Sequence, residues 1–186
     1  MLISEEYRKQ QEKLHENPHY GVMGQHYGKL VSEIINKVGI RHLLDYGCGH
    51  NRSLTWTLKP KEEITYQAYD PGVPEYSDDP TPAEMVVCCD VLEHIEPDYL
   101  ENVLDHLEQL TEVILFATVH TGPAAKTLPD GRNAHLIQKP MEWWLPKFQD
   151  RWDIQTVQKT GRGGFYVIAN NKDLELVEEA QETAPN

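Results

Sequence analysis

Cysteine is scarce in this chain of 186 residues: Cys48, Cys88 and Cys89 are the only three, and two of them are adjacent. An odd count without C-x-x-C spacing excludes a disulfide framework and the usual zinc-ligand pattern. Long apolar runs are missing as well. Runs such as residues 113–117 (VILFA) fall far short of the ~20 apolar residues that a membrane-spanning helix needs. Residues 1–21 hold no apolar core and no small-residue cleavage site, so no secretory leader is expected. Basic residues are few: 17 Lys and Arg stand against 30 Asp and Glu, for a net charge of −13. By segment the balance is +2 over residues 1–60, −14 over 61–125 and −1 over 126–186. A field of that sign repels phosphate backbones, and no Lys/Arg cluster with interleaved aromatics offsets it, so duplex nucleic acid is not an expected partner. The excess acid fits either plain solubility or attraction of a cationic ligand. What is present suits one globular domain: 39% hydrophobic residues, 25% charged, and 16 aromatics to fill a core. A soluble cytoplasmic protein is expected.

Apolar periodicity sets out the elements. Residues 4–16 are polar and helix-permissive, and Asn17-Pro18 ends them. Residues 19–28 (HYGVMGQHYG) form a loop rich in Gly, Tyr and His. Leu30, Ile34, Ile35 and Val38 share one helical face over 29–38, with Gly39 as the stop. Residues 42–47 (HLLDYG) read as a buried strand ending in glycine. A turn at 48–52 leads to a short helix at 53–59, capped by Asn51 or Ser53 and ended by Pro60. Further strands are expected at 64–69, 84–89 and 113–119, and a helix at 98–110. The four prolines in 70–83 make that segment a loop. Residues 121–138 form a long loop of the kind that carries function. Residues 140–148 hold a short helix or turn, and 152–158 with 164–170 form a hairpin-like pair. This pattern predicts a Rossmann-like, doubly wound α/β sheet. It divides the chain into a helical segment at 1–38 able to serve as a lid, a core at 39–170 and an acidic tail at 171–186.

The chemistry begins at Asp45-Tyr46-Gly47-Cys48-Gly49, where the first strand ends. Glycines there let the backbone approach a ligand closely, at the strand end where open α/β sheets bind ligands. Asp70 ends the second strand, and a carboxylate at that point can accept hydrogen bonds from both ribose hydroxyls. The spacing fits nucleotide-type cofactors in general. A dinucleotide fingerprint requires G-x-G-x-x-G, and Arg52 stands in place of its third glycine, which weakens a nicotinamide reading.

In this order, LLDYGCG, YQAYDPG and VVCCDVLEHI resemble successive motifs of the class I S-adenosylmethionine-dependent methyltransferases. The resemblance covers roughly residues 29–170. It implies S-adenosyl-L-methionine as cofactor and S-adenosyl-L-homocysteine as product. It further implies that Asp45, Tyr46, Gly47, Cys48 and Gly49 wrap the methionine part, that Asp70 and Pro71 sit at the ribose, and that Asp90 and residues 91–95 line the floor between cofactor and substrate, with Asp90, Val91 and Leu92 at the cofactor. Most members fit another helix, a strand and an adenine-reading acid between the second and third motifs. Only residues 71–83 remain here, which predicts a trimmed sheet of about six strands with the last antiparallel, and adenine held by Tyr76 or by Asp90-Val91. The segment LPDGRNAHLIQKPMEWWLPK is similar to small uncharacterised methyltransferases of phage and bacterial genomes.

That resemblance makes methyl transfer to an oxygen or nitrogen of a small molecule, sugar or nucleotide the expected reaction. A hydroxyl acceptor needs a base, and His94, His120, His135 and Asp90 are the candidates, with histidine favoured by its pKa near neutrality. Lys126 and Arg132 suit an anionic substrate or are solvated charges. Tyr20, Gly21, Gly24, His26 and Tyr27 form a closing loop or a static cap. Trp143-Trp144 puts one ring in the core and the other at the surface, or else offers a stacking platform. Cys88 and Cys89 read as small buried strand residues. Nine histidines raise the question of a metal; His15 and His19 alone are spaced H-x-x-x-H, with Asn17-Pro18 breaking the helix between them, and no metal site is expected. A regulatory module that binds the cofactor without transfer is the competing class; a nicotinamide-dependent oxidoreductase is the weaker enzyme alternative.

Overall fold

The computed structural model describes residues 1–17, 19–161 and 163–174. Six strands form one sheet: β1 (His42–Tyr46), β2 (Thr65–Tyr69), β3 (Ala83–Cys89), β4 (Thr111–His120), β5 (Trp152–Lys159) and β6 (Gly164–Asn171), in the order β2-β1-β3-β4-β6-β5. Pairings from β2 through β4 are parallel; β6 runs antiparallel to both neighbours. The sheet is thus Rossmann-like, with four strands paired in parallel and β6 antiparallel to its neighbours, as the sequence predicts. The chain between β2 and β3 holds only a 3₁₀ turn at Pro74–Tyr76, so β2 is the edge strand.

Alternation along the buried strands divides the sheet's two faces. Leu43, Met85, Val87 and Phe116 pack with Val31 and Ile35 of α2 (Gly28–Val38). Leu44, Val86, Cys88, Leu115 and Ala117 face α3 (Leu100–Leu110) and α4 (Met141–Arg151). Helix α2 ends where Gly39 adopts a left-handed φ of 88°, a conformation that costs glycine least. In α3, Leu100, Val103, Leu104, Leu107 and Leu110 are all buried, a stripe of helical period on one face. Helix α1 (Glu5–His15) begins at Ser4, whose hydroxyl accepts from the Tyr7 N–H at 3.1 Å, with Glu5 and Glu6 in the first turn.

Two elements depart from the sequence reading. The helix expected at 53–59 is only a 3₁₀ turn, Ser53–Trp56, entered through Arg52 at φ 47°. Neither Asn51 nor Ser53 caps it. The Ser53 hydroxyl donates to the Gly21 carbonyl at 3.3 Å and the Asn51 amide to the Tyr20 carbonyl at 3.2 Å, so both hold the N-terminal segment instead. Helix α4 outlasts its expected end at 148 despite Pro146, because its last turn is tied to α3: Arg151 pairs with Glu101 and Asp105, and Lys147 with Glu101. Of the acidic tail, residues 175–186 lie outside the described residues.

Candidate functional site

The sheet order reverses direction at β1, which has β2 on one side and β3 on the other. Ligands of open α/β sheets bind at this switch, beyond the strands' carboxyl ends. A cavity of about 440 Å³ lies there. That volume falls within the range of small-molecule sites.

Residues 45–49 form its inner wall. Gly47 (φ 72°) and Gly49 (φ 63°) both take left-handed conformations, and the Gly47 N–H donates to the Tyr69 carbonyl at 2.7 Å. A Cβ on Gly47 would stand 2.3 Å from Val91 Cγ2, so the first and third sequence motifs touch here with no room for a side chain. Asp70 Oδ2 accepts from the Gly49 N–H and Oδ1 from the Gly72 N–H, both at 2.9 Å. Each oxygen keeps a further lone pair for a ligand. His15 Nε2 stands 3.8 Å from Asp70 Oδ2. Burial outweighs the Asp70 charge and lowers the His15 pKa, so the pair is not ionic at neutral pH.

Asp45 lies beneath the turn. Its Oδ2 accepts from the Tyr66 hydroxyl at 2.6 Å. Burial raises its pKa to about 7; the Tyr66 hydrogen bond opposes the rise and Asp70 adds to it. Asp90 adopts φ 52°, uncommon for a residue with a side chain. Thr118 holds it: its Oγ1 accepts from the Asp90 N–H at 2.9 Å, and its hydroxyl donates to Asp90 Oδ1.

The N-terminal segment forms the outer wall. Tyr7, Gln11 and His15 of α1 line the cavity, as do Tyr20, Gly21 and Gly24 from the following loop. A hydrogen-bond chain runs from the Tyr20 hydroxyl to Gln11 Oε1, from Gln11 Nε2 to the Tyr7 hydroxyl, and from that hydroxyl to the His94 carbonyl. It ties the wall to the cavity floor.

Among the residues that sequence reasoning assigned to the cofactor, Asp45, Tyr46, Gly47, Cys48, Gly49, Asp70, Pro71, Asp90 and Val91 all line this cavity. Leu92 does not. It opens a 3₁₀ turn whose side chain points inward, and it is fully buried in the core against α3 and α4. Tyr76 is absent from the lining as well: its ring stacks beneath the Arg52 guanidinium, 5.3 Å away, and its carbonyl accepts the Asp70 N–H. His94, His120 and His135 converge on the opposite side of the cavity, with ring centroids 4.7 Å apart for His94 and His135 and 5.0 Å for His120 and His135. Burial, and repulsion from His135, pull the His94 pKa down to about 3, and burial lowers that of His135. Both imidazoles are neutral at neutral pH.

Lys126 lines the cavity, whereas Arg132 is held on Asp130 at 2.6 Å, in a separate polar recess with Ser4 and Glu96. Trp144 is buried and Trp143 partly exposed, with Lys147 Nζ 4.7 Å from its ring, and neither lines the cavity. Burial pushes the thiols of Cys48, Cys88 and Cys89 well above their ordinary pKa, which suits packing and not nucleophilic chemistry. Sequence reasoning missed Tyr66, Gly72 and Glu93. Glu93 had a signal, since it sits inside DVLEHI, but a helix-surface acid reads the same way in one dimension.

No helix of the described residues is long and apolar enough to cross a membrane. No family model matches the chain, and no curated protein matches it. Solved structures do. The complex of DhpI with SAH superposes with a TM-score of 0.62 at 16% identity, over 90% of this chain and 98% of that one. An O-methyltransferase family protein from Burkholderia thailandensis gives 0.60 at 16% identity over 79% of this chain, which spans 55% of that protein's length. The 1,6-didemethyltoxoflavin-N1-methyltransferase of Burkholderia thailandensis, solved with 1,6-didemethyltoxoflavin and S-adenosylhomocysteine, gives 0.58 at 14% identity over 78% of each chain. The chain has the Rossmann-like fold of these methyltransferase structures.

Proposed function

We propose that this protein is an S-adenosylmethionine-dependent methyltransferase acting on an oxygen or nitrogen of a small molecule, sugar or nucleotide. One observation carries the reading: the glycine turn at 47–49 and the Asp70 carboxylate, from neighbouring parallel strands, share one cavity and are hydrogen-bonded to each other. The residues fit the cofactor. Gly47 leaves a cradle that a Cβ would fill, and Asp70 keeps two free lone pairs for the two ribose hydroxyls. With Tyr76 outside the cavity, Asp90-Val91 is the stretch that remains for adenine. When bound, the cofactor supplies an electrophilic methyl: the acceptor lone pair forms the new bond to carbon, and the electron pair of the broken C–S bond stays on sulfur as a neutral sulfide.

The chain's residues do the rest by alignment and by excluding water. Tyr7, Gln11 and His15 of α1 and Tyr20, Gly21 and Gly24 after it close the outer side of the cavity, with Gly21 against Gly49 of the glycine turn. A hydroxyl acceptor loses its proton at the histidine end. His135 is oriented for this: its Nδ1–H donates to the Gly122 carbonyl at 2.7 Å, which leaves the Nε2 lone pair free. The solved methyltransferase with 1,6-didemethyltoxoflavin beside S-adenosylhomocysteine supports a small acceptor on this fold.

A thermal-shift panel of S-adenosylmethionine, S-adenosylhomocysteine, NAD and ATP tests the reading. Stabilisation by the first two alone is expected. Stabilisation by NAD alone would transfer the site to a nicotinamide enzyme. Binding of the first two without turnover on any acceptor would leave a regulatory module.

A further inference from the structure

The histidine end of the cavity holds a second constellation. Glu93, His94 and His135 each offer one ligand atom, and the three atoms lie within 4.8 Å of one another. All three groups share a pattern: one polar end is tied to the backbone and the other is left over. Glu93 is fully buried; its Oε1 accepts from the His120 N–H at 2.8 Å, and its Oε2 has no partner. The His94 ring is hydrogen-bonded to the Ala134 backbone, and its buried Nδ1 has no partner. The His135 Nδ1 is engaged by the Gly122 carbonyl, which leaves Nε2. A buried carboxylate oxygen without a hydrogen bond is costly and calls for an explanation. Imidazoles fixed through one nitrogen by a backbone carbonyl, with the other nitrogen turned toward a carboxylate, are what a metal ion's outer shell produces.

We propose that Glu93, His94 and His135 bind one divalent transition-metal cation of the zinc class. Two nitrogens and one carboxylate oxygen suit zinc, cobalt, manganese or ferrous iron; magnesium prefers an all-oxygen shell. Ligand atoms at about 2.1 Å from a tetrahedral ion stand about 3.4 Å apart, so side-chain rotations close the site. Three protein ligands leave at least one coordination position open, and His94 and His135 line the cavity, so that position faces the acceptor. With an acceptor hydroxyl at that position the ion would lower the hydroxyl's pKa and let its proton leave to solvent; His135 Nε2 would then be a ligand in the metal-loaded protein and would be the base only in the metal-free one. This last step rests on the methyl-transfer reading; the ion site does not.

The test uses the full chain, stripped with a chelator and titrated with Co²⁺, Zn²⁺ and Mg²⁺. Calorimetry is expected to give one Zn²⁺ per chain with Mg²⁺ much weaker, and Co²⁺ is expected to develop visible ligand-field bands. Glu93→Gln and His135→Ala should each weaken Zn²⁺ binding about tenfold or more. Unchanged Zn²⁺ affinity in both variants, or Mg²⁺ binding as tight as Zn²⁺, overturns the site. Should the variants fail to fold, the paramagnetically shifted imidazole resonances of the wild-type Co²⁺ protein count the histidine ligands. Two confirm the site and fewer refute it. The S-adenosylmethionine thermal shift, measured on the metal-free chain, reports the methyltransferase reading separately, so either can fail alone.

Discussion

Replacing Gly47 by alanine places two separable costs at one position. The backbone there has φ 72°, and holding a residue with a Cβ in the left-handed region costs about 1–2 kcal/mol. The new Cβ would also stand 2.3 Å from Val91 Cγ2, 2.9 Å from Cγ1 and 3.2 Å from Cβ. Val91 is β-branched and stiff at χ1, so it cannot swing clear without backbone movement. Overpacking of this kind costs about 1–3 kcal/mol. Gly47→Ala should therefore lose about 2–5 kcal/mol, a fall in Tm of about 4–20 °C for a chain of this size. Val91→Ala removes both Cγ atoms and should return the steric share but not the φ share. A double-mutant cycle, by urea denaturation of wild type, both single variants and the pair, isolates a coupling of about 1–3 kcal/mol. If Gly47→Ala melts as wild type does, or if the two losses simply add, then Gly47 and Val91 are not in contact. The joining of the first and third motifs in one cavity would go with that contact.

Asp70→Ala should weaken S-adenosylmethionine and S-adenosylhomocysteine equally, by about 10- to 100-fold, because hydrogen bonds to a charged group are worth about 1.5–3 kcal/mol and both molecules carry the same ribose. Calorimetry on the folded variant checks this, and wild-type affinity would disprove the ribose assignment. Asp45 yields a pH prediction. Its folded pKa, raised to about 7, lies above its unfolded value, so the folded state holds the proton more tightly. Its stabilisation is complete below the unfolded pKa near 4 and is lost as pH rises through 7, up to about 4 kcal/mol in all. Asp45→Asn should flatten that part of the stability profile between about pH 4 and 7, as followed by urea denaturation across pH. Parallel profiles for variant and wild type would show that Asp45 is not buried as described.

The elements follow from local sequence because periodicity reports burial along the chain. The short apolar runs Leu43-Leu44 and Met85–Cys88 leave no polar face, so they read as buried strands, and the stripe from Leu100 to Leu110 reads as a helix on the sheet. The glycine turn and Asp70 are legible for the same reason: each sits at the end of a strand whose direction the βα alternation fixes, and strand ends in a parallel sheet converge. The short stretch between β2 and β3 likewise predicts the trimmed edge. Other features depend on how distant segments meet. Whether Leu92 faces the cavity or the core turns on the rotation of one 3₁₀ turn, and whether Arg132 reaches the cavity turns on the path of the loop after β4. The placing of α1 over the glycine turn, the Tyr66 hydrogen bond beneath Asp45, and the meeting of Glu93 and His94 with His135 join residues far apart in sequence. No periodicity encodes those meetings. They are fixed by strand order and loop closure, which only the folded chain sets.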